Sequence, residues 1–332
     1  MAGIPAALEV ANKYGIRLIP GVEISAMFTP MVDSGKGEPV HILAYYSSCG
    51  PTNFAELEER LASIREGRYL RAQTMLQKLK ALKMPLKSEH VARIAGDGVA
   101  PGRLHVARAM VEARYVDNIK QAFNKYLYDG GPAYATGAEI HSEEAIQLIC
   151  RTGGVAILAH PWGLKNPVSV VRKLKAAGLQ GIEVYRSDGK AAGFHELADA
   201  YQLLKLGGSD FHGRGGPDET DLGKVNIPDS AMHEFLKVAQ PIWHDAIKNI
   251  LLSFAEETKA IGFDSFGKYK CLKGDMHLRN NALGDKEEIV ALHLSSWLTK
   301  EERVTVEEEA IKLKLSYTVI CDKGKETSVV SR

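Results

Sequence analysis

Apolar residues recur along the chain in two spacings, every three or four positions in some stretches and as short β-branched runs in others. The helical spacing covers residues 6–14 and ends at Gly15, and the run at 16–19 follows as a predicted strand. A second strand is predicted at 40–45, after a Gly/Pro-rich turn. Residues 54–82 carry Leu57, Leu61, Ile64, Met75, Leu79 and Leu82 on one stripe, a long amphipathic helix closed by Met84-Pro85. Shorter helices predicted at 88–95, 104–113 and 118–126 make 54–140 a helical insertion. Ser142, with Glu143 and Glu144, opens a helix to Arg151 that Gly153-Gly154 ends. Then come a strand at 155–159, a helix at 168–177, a strand at 181–185, a helix at 194–203 and a strand end near 208–210. Strand and helix in such alternation predict a parallel sheet or barrel with right-handed crossovers.

The pattern loosens beyond Pro228. Residues 233–255 are helical in pattern, 262–286 are irregular, and 295–315 pair a Glu-rich surface with Ile311, Leu313 and Leu315 before a strand-like 317–320. The chain thus reads as a barrel domain over 1–228, with 54–140 inserted as a cap, and an extension over 229–332 without legible chemistry. At 332 residues and 45% hydrophobic, it can bury one sizeable core and a smaller appendage. Lys+Arg of 42 against Asp+Glu of 41 gives no global pull towards long nucleic acid or membrane, so any attraction for phosphate is local. Cys49, Cys150, Cys271 and Cys321 stand far apart without a CxxC pair, which suits reduced thiols in an intracellular, cytoplasmic protein. No apolar run approaches the ~20 residues of a membrane helix. The first residues lack the basic lead and long apolar segment of a secretory signal, and the chain opens inside a βα unit, which leaves an organelle open as its location.

Candidate chemistry sits where the apolar runs end. Pro20-Gly21-Val22-Glu23-Ile24-Ser25, Val40-His41-Ile42-Leu43, Leu158-Ala159-His160-Pro161 and Gly207-Gly208-Ser209-Asp210-Phe211-His212-Gly213 each carry a carboxylate or an imidazole there. Singly, these are as readily solvated acids, half-buried hydrogen-bonded histidines or turn residues. Jointly, at one mouth of a parallel barrel, Glu23, His41, His160, Asp210 and His212 form a ligand set for divalent metal. Asp210 and His212, two apart, point the same way if the strand end is extended. Mixed N/O donors suit manganese, zinc, iron or, less well, magnesium. The chain has no GxGxxG after a strand and no GxSxG elbow. Phosphoester hydrolysis by a metal-activated hydroxide is therefore the favoured reaction class, with His160, Asp210 and His212 nearest the chemistry.

Other residues carry two readings each. Arg68 and Arg71 interrupt the apolar stripe of the long helix, either packing and pairing within the cap or binding a substrate phosphate. Arg214, two residues beyond His212, is a further candidate for phosphate contact. Glu183, on an otherwise apolar strand, either supports a metal ligand from behind or pairs with a cation. Trp162 either stacks on a base or packs at the barrel rim.

Together with Gly102-Arg103-Leu104-His105-Val106-Ala107, these motifs resemble the PHP (polymerase and histidinol phosphatase) family over about residues 1–228. The nearest branch is the 3′,5′-nucleoside bisphosphate phosphatases and their 5′-3′ exoribonuclease-like relatives. The resemblance implies a distorted (β/α)7 TIM-like barrel with two or three divalent ions at its mouth, with Glu23, His41, His160, Asp210 and His212 as ligands. Arg103 and His105 would face the substrate phosphate. The implied substrate is a small phosphorylated nucleotide or the 5′ end of a short RNA, with no membrane and no long duplex as partner. Leu104 stands where the family has proline. Relatives begin with a strand bearing His-x-His and a second strand ending in Asp-His, upstream of the segment matching Gly3-Ile4-Pro5. The expectation is a barrel lacking its first two strands and four ligands, and a chain impaired beside a longer product. The alternatives are a non-catalytic metal- or nucleotide-binding remnant, and a histidinol-phosphatase-like activity, which the Gly-Arg-x-His element disfavours.

Overall fold

The computed structural model describes residues 3–29, 37–96, 98–128, 130–137, 139–187, 189, 193–212, 220–260, 291–293, 298–322 and 325–331. The chain forms two compact units, one of residues 1–57 with 141–332 and the other of residues 58–140. In chain order the first elements are α1 (Ile4–Lys13), β1 (Gly21–Phe28), β2 (Glu38–Tyr45) and α2 (Phe54–Ala81). Then follow α3 (Ser88–Ala95), α4 (Arg103–Glu112) and α5 (Ile119–Ala122), which continues as a π-turn over Phe123–Leu127. The chain returns through β3 (Ile140–His141), α6 (Ser142–Arg151), β4 (Val155–Leu158), α7 (Pro167–Ala176), β5 (Gly181–Tyr185), α8 (Phe194–Ala200) and β6 (Leu204–Gly207). It ends with α9 (Asp229–Ala260), β7 (Ala291–His293), α10 (Lys300–Lys312), β8 (Ser316–Asp322) and β9 (Lys325–Ser331).

The first unit is a mixed α/β fold around a six-stranded sheet in the order β3-β1-β2-β4-β5-β6. β4, β5 and β6 pair in parallel, as the alternation of strand and helix predicts. β1 with β2 and β2 with β4 are antiparallel, which corrects the expectation of a uniformly parallel sheet. The strand predicted at 16–19 is also displaced. Among the described residues that run has no ladder partner, Ile16 is 64% exposed, and the strand begins only at Gly21. From there the side chains alternate, burying Ile24, Ala26 and Phe28 on one face, while β2 buries Val40, Ile42 and Ala44. Glu23 and His41 share the other, half-buried face of this alternation, so Glu23 lies within a strand rather than in a following loop.

One face of the sheet packs on α9, where Phe235, Ala239 and Trp243 meet Val155, Ile157 and Leu206. A further core joins α9 and α10 through Ile247, Leu251, Phe254, Val306 and Ala310, beside a small sheet in the order β7-β9-β8. Residues 229–332, where they are described, lie in the same compact unit as the main sheet. Glu302 closes a capping box with Thr299 at the start of α10, and its other carboxylate oxygen accepts the Ser48 N–H at 3.0 Å. The predicted irregular stretch at 262–286 lies outside the described residues. No described helix is long and apolar enough to cross a membrane, and Cys49 and Cys150 stand outside any disulfide.

The second unit has its own core, built on Met75 and Leu79 of α2, Val91 of α3 and Val106, Ala109 and Met110 of α4. The spacing that predicted these helices is the spacing with which they bury their apolar stripe.

Candidate metal centre

Glu23 on β1, His41 on β2 and His160 just after β4 are brought together by strand pairing. Ser25 of β1 faces His41 of β2 in the ladder, and Glu23 is two residues from Ser25, so Glu23 and His41 are diagonal neighbours on one face. His160 is delivered by the β2–β4 pair, with the Ala159 N–H donating to the His41 carbonyl at 3.0 Å. His41 Nδ1 lies 2.6 Å from Glu23 Oε1 and 2.9 Å from His160 Nε2, and His160 Nε2 lies 3.3 Å from the same Glu23 oxygen. Ligands about 2.0–2.1 Å from one ion stand roughly 3 Å from each other, so these donor atoms have the spacing of a coordination shell. One carboxylate and two imidazoles are also the donors that a borderline divalent cation takes.

A second group shares Glu23. Its carboxylate, that of Asp210 and the imidazole of His212 offer ligand atoms that all lie within 4.8 Å of one another, as do those of Glu23, His41 and His160. Asp210 does not continue an extended strand, as predicted, but has φ 51°, in the left-handed region that Asp enters more easily than most residues. His212 folds back, with Nδ1 2.7 Å from the Asp210 carbonyl oxygen and 3.5 Å from its carboxylate. Glycine makes the approach possible: a Cβ on Gly207 would stand 2.2 Å from the Tyr185 carbonyl oxygen.

The cluster is electrostatically tense. Burial raises the Glu23 carboxyl, but hydrogen bonds and charge from His160 and His41 overcome this and hold it well below the usual carboxylate range. His160 is raised, first by its hydrogen bond to Glu23 and then, against burial, by the charges of Glu23, Asp210 and Glu183. Both shifts favour positive charge beside an ionised Glu23.

Glu183 answers the question left by its place on an apolar strand. It is 8% exposed, and its Oε2 accepts the backbone N–H of His160 at 2.8 Å. Burial raises its carboxyl, with the His160 N–H and ring charge working against the rise. His160 needs such a hold. Its φ of 28° and ψ of 58°, directly before Pro161, depart from the extended backbone that a residue preceding proline prefers. Strain of that kind costs on the order of 1–3 kcal/mol and persists only where the surroundings impose it.

Arg71, Arg103 and His105 of the cap make contacts within their own unit. Arg71 Nη1 pairs with Glu139 at 2.7 Å and its Nε donates to the Ala135 carbonyl at 2.9 Å, the pairing alternative of the two predicted for it. Arg103 lies over Tyr134, 5.4 Å from the ring centroid, and its Nη1 reaches the Leu127 carbonyl at 3.4 Å. His105 Nδ1 accepts the Gly102 N–H at 3.0 Å and so caps α4, while Arg68 is half-buried. Arg214 lies outside the described residues.

Beside the donor cluster opens a cavity of about 650 Å³ whose wall includes Trp162, Arg186, Ser187 and Thr220. Arg186 escapes a sequence reading, although its position directly after β5, at a strand's C-terminal end, is the signal that could have found it.

No family model matches the chain. It is 31% identical over 258 residues to the 3′,5′-nucleoside bisphosphate phosphatase of Chromobacterium violaceum, covering 75% of this chain and 84% of that protein. To the 5′-3′ exoribonuclease of Haemophilus influenzae it is 30% identical over 259 residues, 73% of this chain and 84% of the relative. Its fold resembles the crystal structure of a Bifidobacterium adolescentis protein proposed as a metal-dependent phosphoesterase, with a TM-score of 0.57 and 28% identity over 71% of this chain and 81% of that one. Relatives matched along most of their length thus agree with the motifs that gather around Glu23, and the chain belongs to the PHP (polymerase and histidinol phosphatase) family.

Proposed function

We propose that the chain is a metal-dependent phosphoesterase that releases phosphate from a small nucleotide of the 3′,5′-bisphosphate type or acts on the 5′ end of a short RNA. The observation that carries this reading is the convergence of Glu23, His41 and His160 within 3.3 Å, with Asp210 and His212 grouped on the same Glu23 carboxylate. The kinship with a bisphosphate phosphatase and an exoribonuclease supports the substrate class. Glu23, His41 and His160 would hold one divalent cation, and Glu23, Asp210 and His212 a second, with manganese the first choice. Such ions supply Lewis acidity, which acidifies water and neutralises the charge that develops at phosphorus.

The chain's own residues supply the rest. Glu23, ionised, fixes both donor groups in one frame. Glu183 keeps His160 in the backbone conformation that turns its ring to Glu23. Arg68, Arg103, His105 and Arg214 are assigned to substrate phosphate, which matches the guanidinium's fit to phosphate oxygens. The sheet is read as part of a PHP-type (β/α)7 barrel with the cap of residues 54–140 inserted, in keeping with the likeness to the solved relative.

The test is phosphate release from adenosine 3′,5′-bisphosphate, with metal content measured on the same protein. Wild type is expected to carry manganese or another divalent ion and to release phosphate. Glu23→Gln, which removes the charge shared by both donor groups, should lower bound metal and cut turnover by at least about 10³-fold, since it removes transition-state charge stabilisation. Wild-type protein that takes up manganese without phosphate release from any nucleotide bisphosphate would refute the assignment.

A further inference from the structure

We propose that Arg186, placed over the Trp162 ring, is the anchor for the non-reacting phosphate of the substrate. This rests on the phosphoesterase reading and adds a binding residue to it. The Arg186 guanidinium carbon lies 4.2 Å from the Trp162 ring centroid, closer than any other described cation–ring pair in the chain. Trp162 is in turn fixed by a T-shaped contact with Phe194, with ring centroids 6.4 Å apart, and lies 6.3 Å from the His160 ring. Both residues line the cavity that also contains Glu23, His41, His160, Asp210 and His212.

The chemistry of this wall selects phosphate. Stacking occupies the face of a guanidinium, whereas its N–H groups lie in the plane of the fork, so the two uses do not compete. A stacked arginine has already lost most of its rotamer freedom and binds an oxyanion at a lower entropic cost than a solvated one. The indole face that could have received a base is covered by the guanidinium. The rest of this wall is hydroxylic, with Ser187 Oγ and Thr220 Oγ1 2.9 Å apart, which suits phosphate and ribose oxygens better than an apolar ring. The donor cluster lines the same cavity, so a nucleoside with two phosphates can present one to the metal ligands and the other to Arg186. Trp162 neighbours both His160 and Arg186 and so links the donor cluster to the guanidinium.

The experiment is calorimetric titration of wild type, Arg186→Ala, Arg186→Lys and Trp162→Leu in EDTA, where nothing is turned over. The titrants are adenosine 3′,5′-bisphosphate and adenosine. Arg186→Ala is expected to weaken the bisphosphate at least tenfold, Arg186→Lys less, because it keeps the charge but not the fork, and Trp162→Leu about threefold. Adenosine should be affected much less. An unchanged dissociation constant in Arg186→Ala, equal weakening of adenosine, or wild type that does not bind the bisphosphate would each overturn the proposal. Failure of the phosphoesterase reading looks different: an Arg186-dependent affinity in EDTA with no phosphate release once manganese is restored.

Discussion

Glu183 shows how one buried carboxylate can serve the site without facing the substrate. It spends its charge on a single backbone N–H, that of His160, whose dihedral angles lie outside the region most residues occupy. Glu183→Ala leaves that N–H without its acceptor and lets the His160 backbone relax towards the extended form that proline favours after it. Metal affinity should fall by about 10–100-fold, the usual cost of losing an outer partner of a ligand, with Glu183→Gln milder because its amide oxygen can still accept. Titration with manganese followed by isothermal calorimetry measures this, and an Ala variant with wild-type affinity would reject it. At this scale the sequence was informative where chemistry is written locally. Glu23, His41, His160, Asp210 and His212 each stand in a short motif, and the structure gathers them into two overlapping groups. Arg186 was not legible, because an arginine after a strand is ordinary and its stacking on Trp162 depends on the parallel pairing of β4 with β5.

Strand junctions decide how tightly the two groups can approach. Gly207 faces the Tyr185 carbonyl so closely that any side chain forces β6 away from β5, and Asp210 sits three residues further on. Gly207→Ala should destabilise the fold by about 1–3 kcal/mol, the range for overpacking, as measured by urea unfolding. Gly208→Ala is the contrast, since its Cβ would meet only Glu183 Oε1, at an ordinary 3.6 Å, and stability should fall by less. Helices were read well from the pattern. Residues 54–82 were predicted and Phe54–Ala81 form, and 142–151 were predicted and Ser142–Arg151 form. Both carry the 3.6-residue stripe and clear stops. Strands fared worse for two physical reasons. An apolar run such as 16–19 imitates a strand without finding a partner, and alternation records which face is buried but not which neighbour runs antiparallel. The alternation of Ile24, Ala26 and Phe28 was there to be read, and it marks the true β1.

The whole molecule couples metal to stability. A cation that binds the native clusters and not the unfolded chain adds about 2.7 kcal/mol when free ion stands at 100 times its dissociation constant. For a chain of 332 residues each kcal/mol moves the unfolding midpoint by about 1–2 °C, so chelation should lower it by roughly 3–5 °C. Differential scanning calorimetry with manganese or with EDTA reads this directly, and coincident midpoints would mean that the donor groups do not hold metal. One further connection reaches across the fold. Glu302 ties the first turn of α10 to the Ser48 N–H, 254 positions earlier, in the loop that leaves β2. That strand carries His41. A change near the carboxyl end of the chain can therefore be felt as a loosened imidazole, and a lesion there would look like a defect in catalysis although it touches neither ion nor nucleotide.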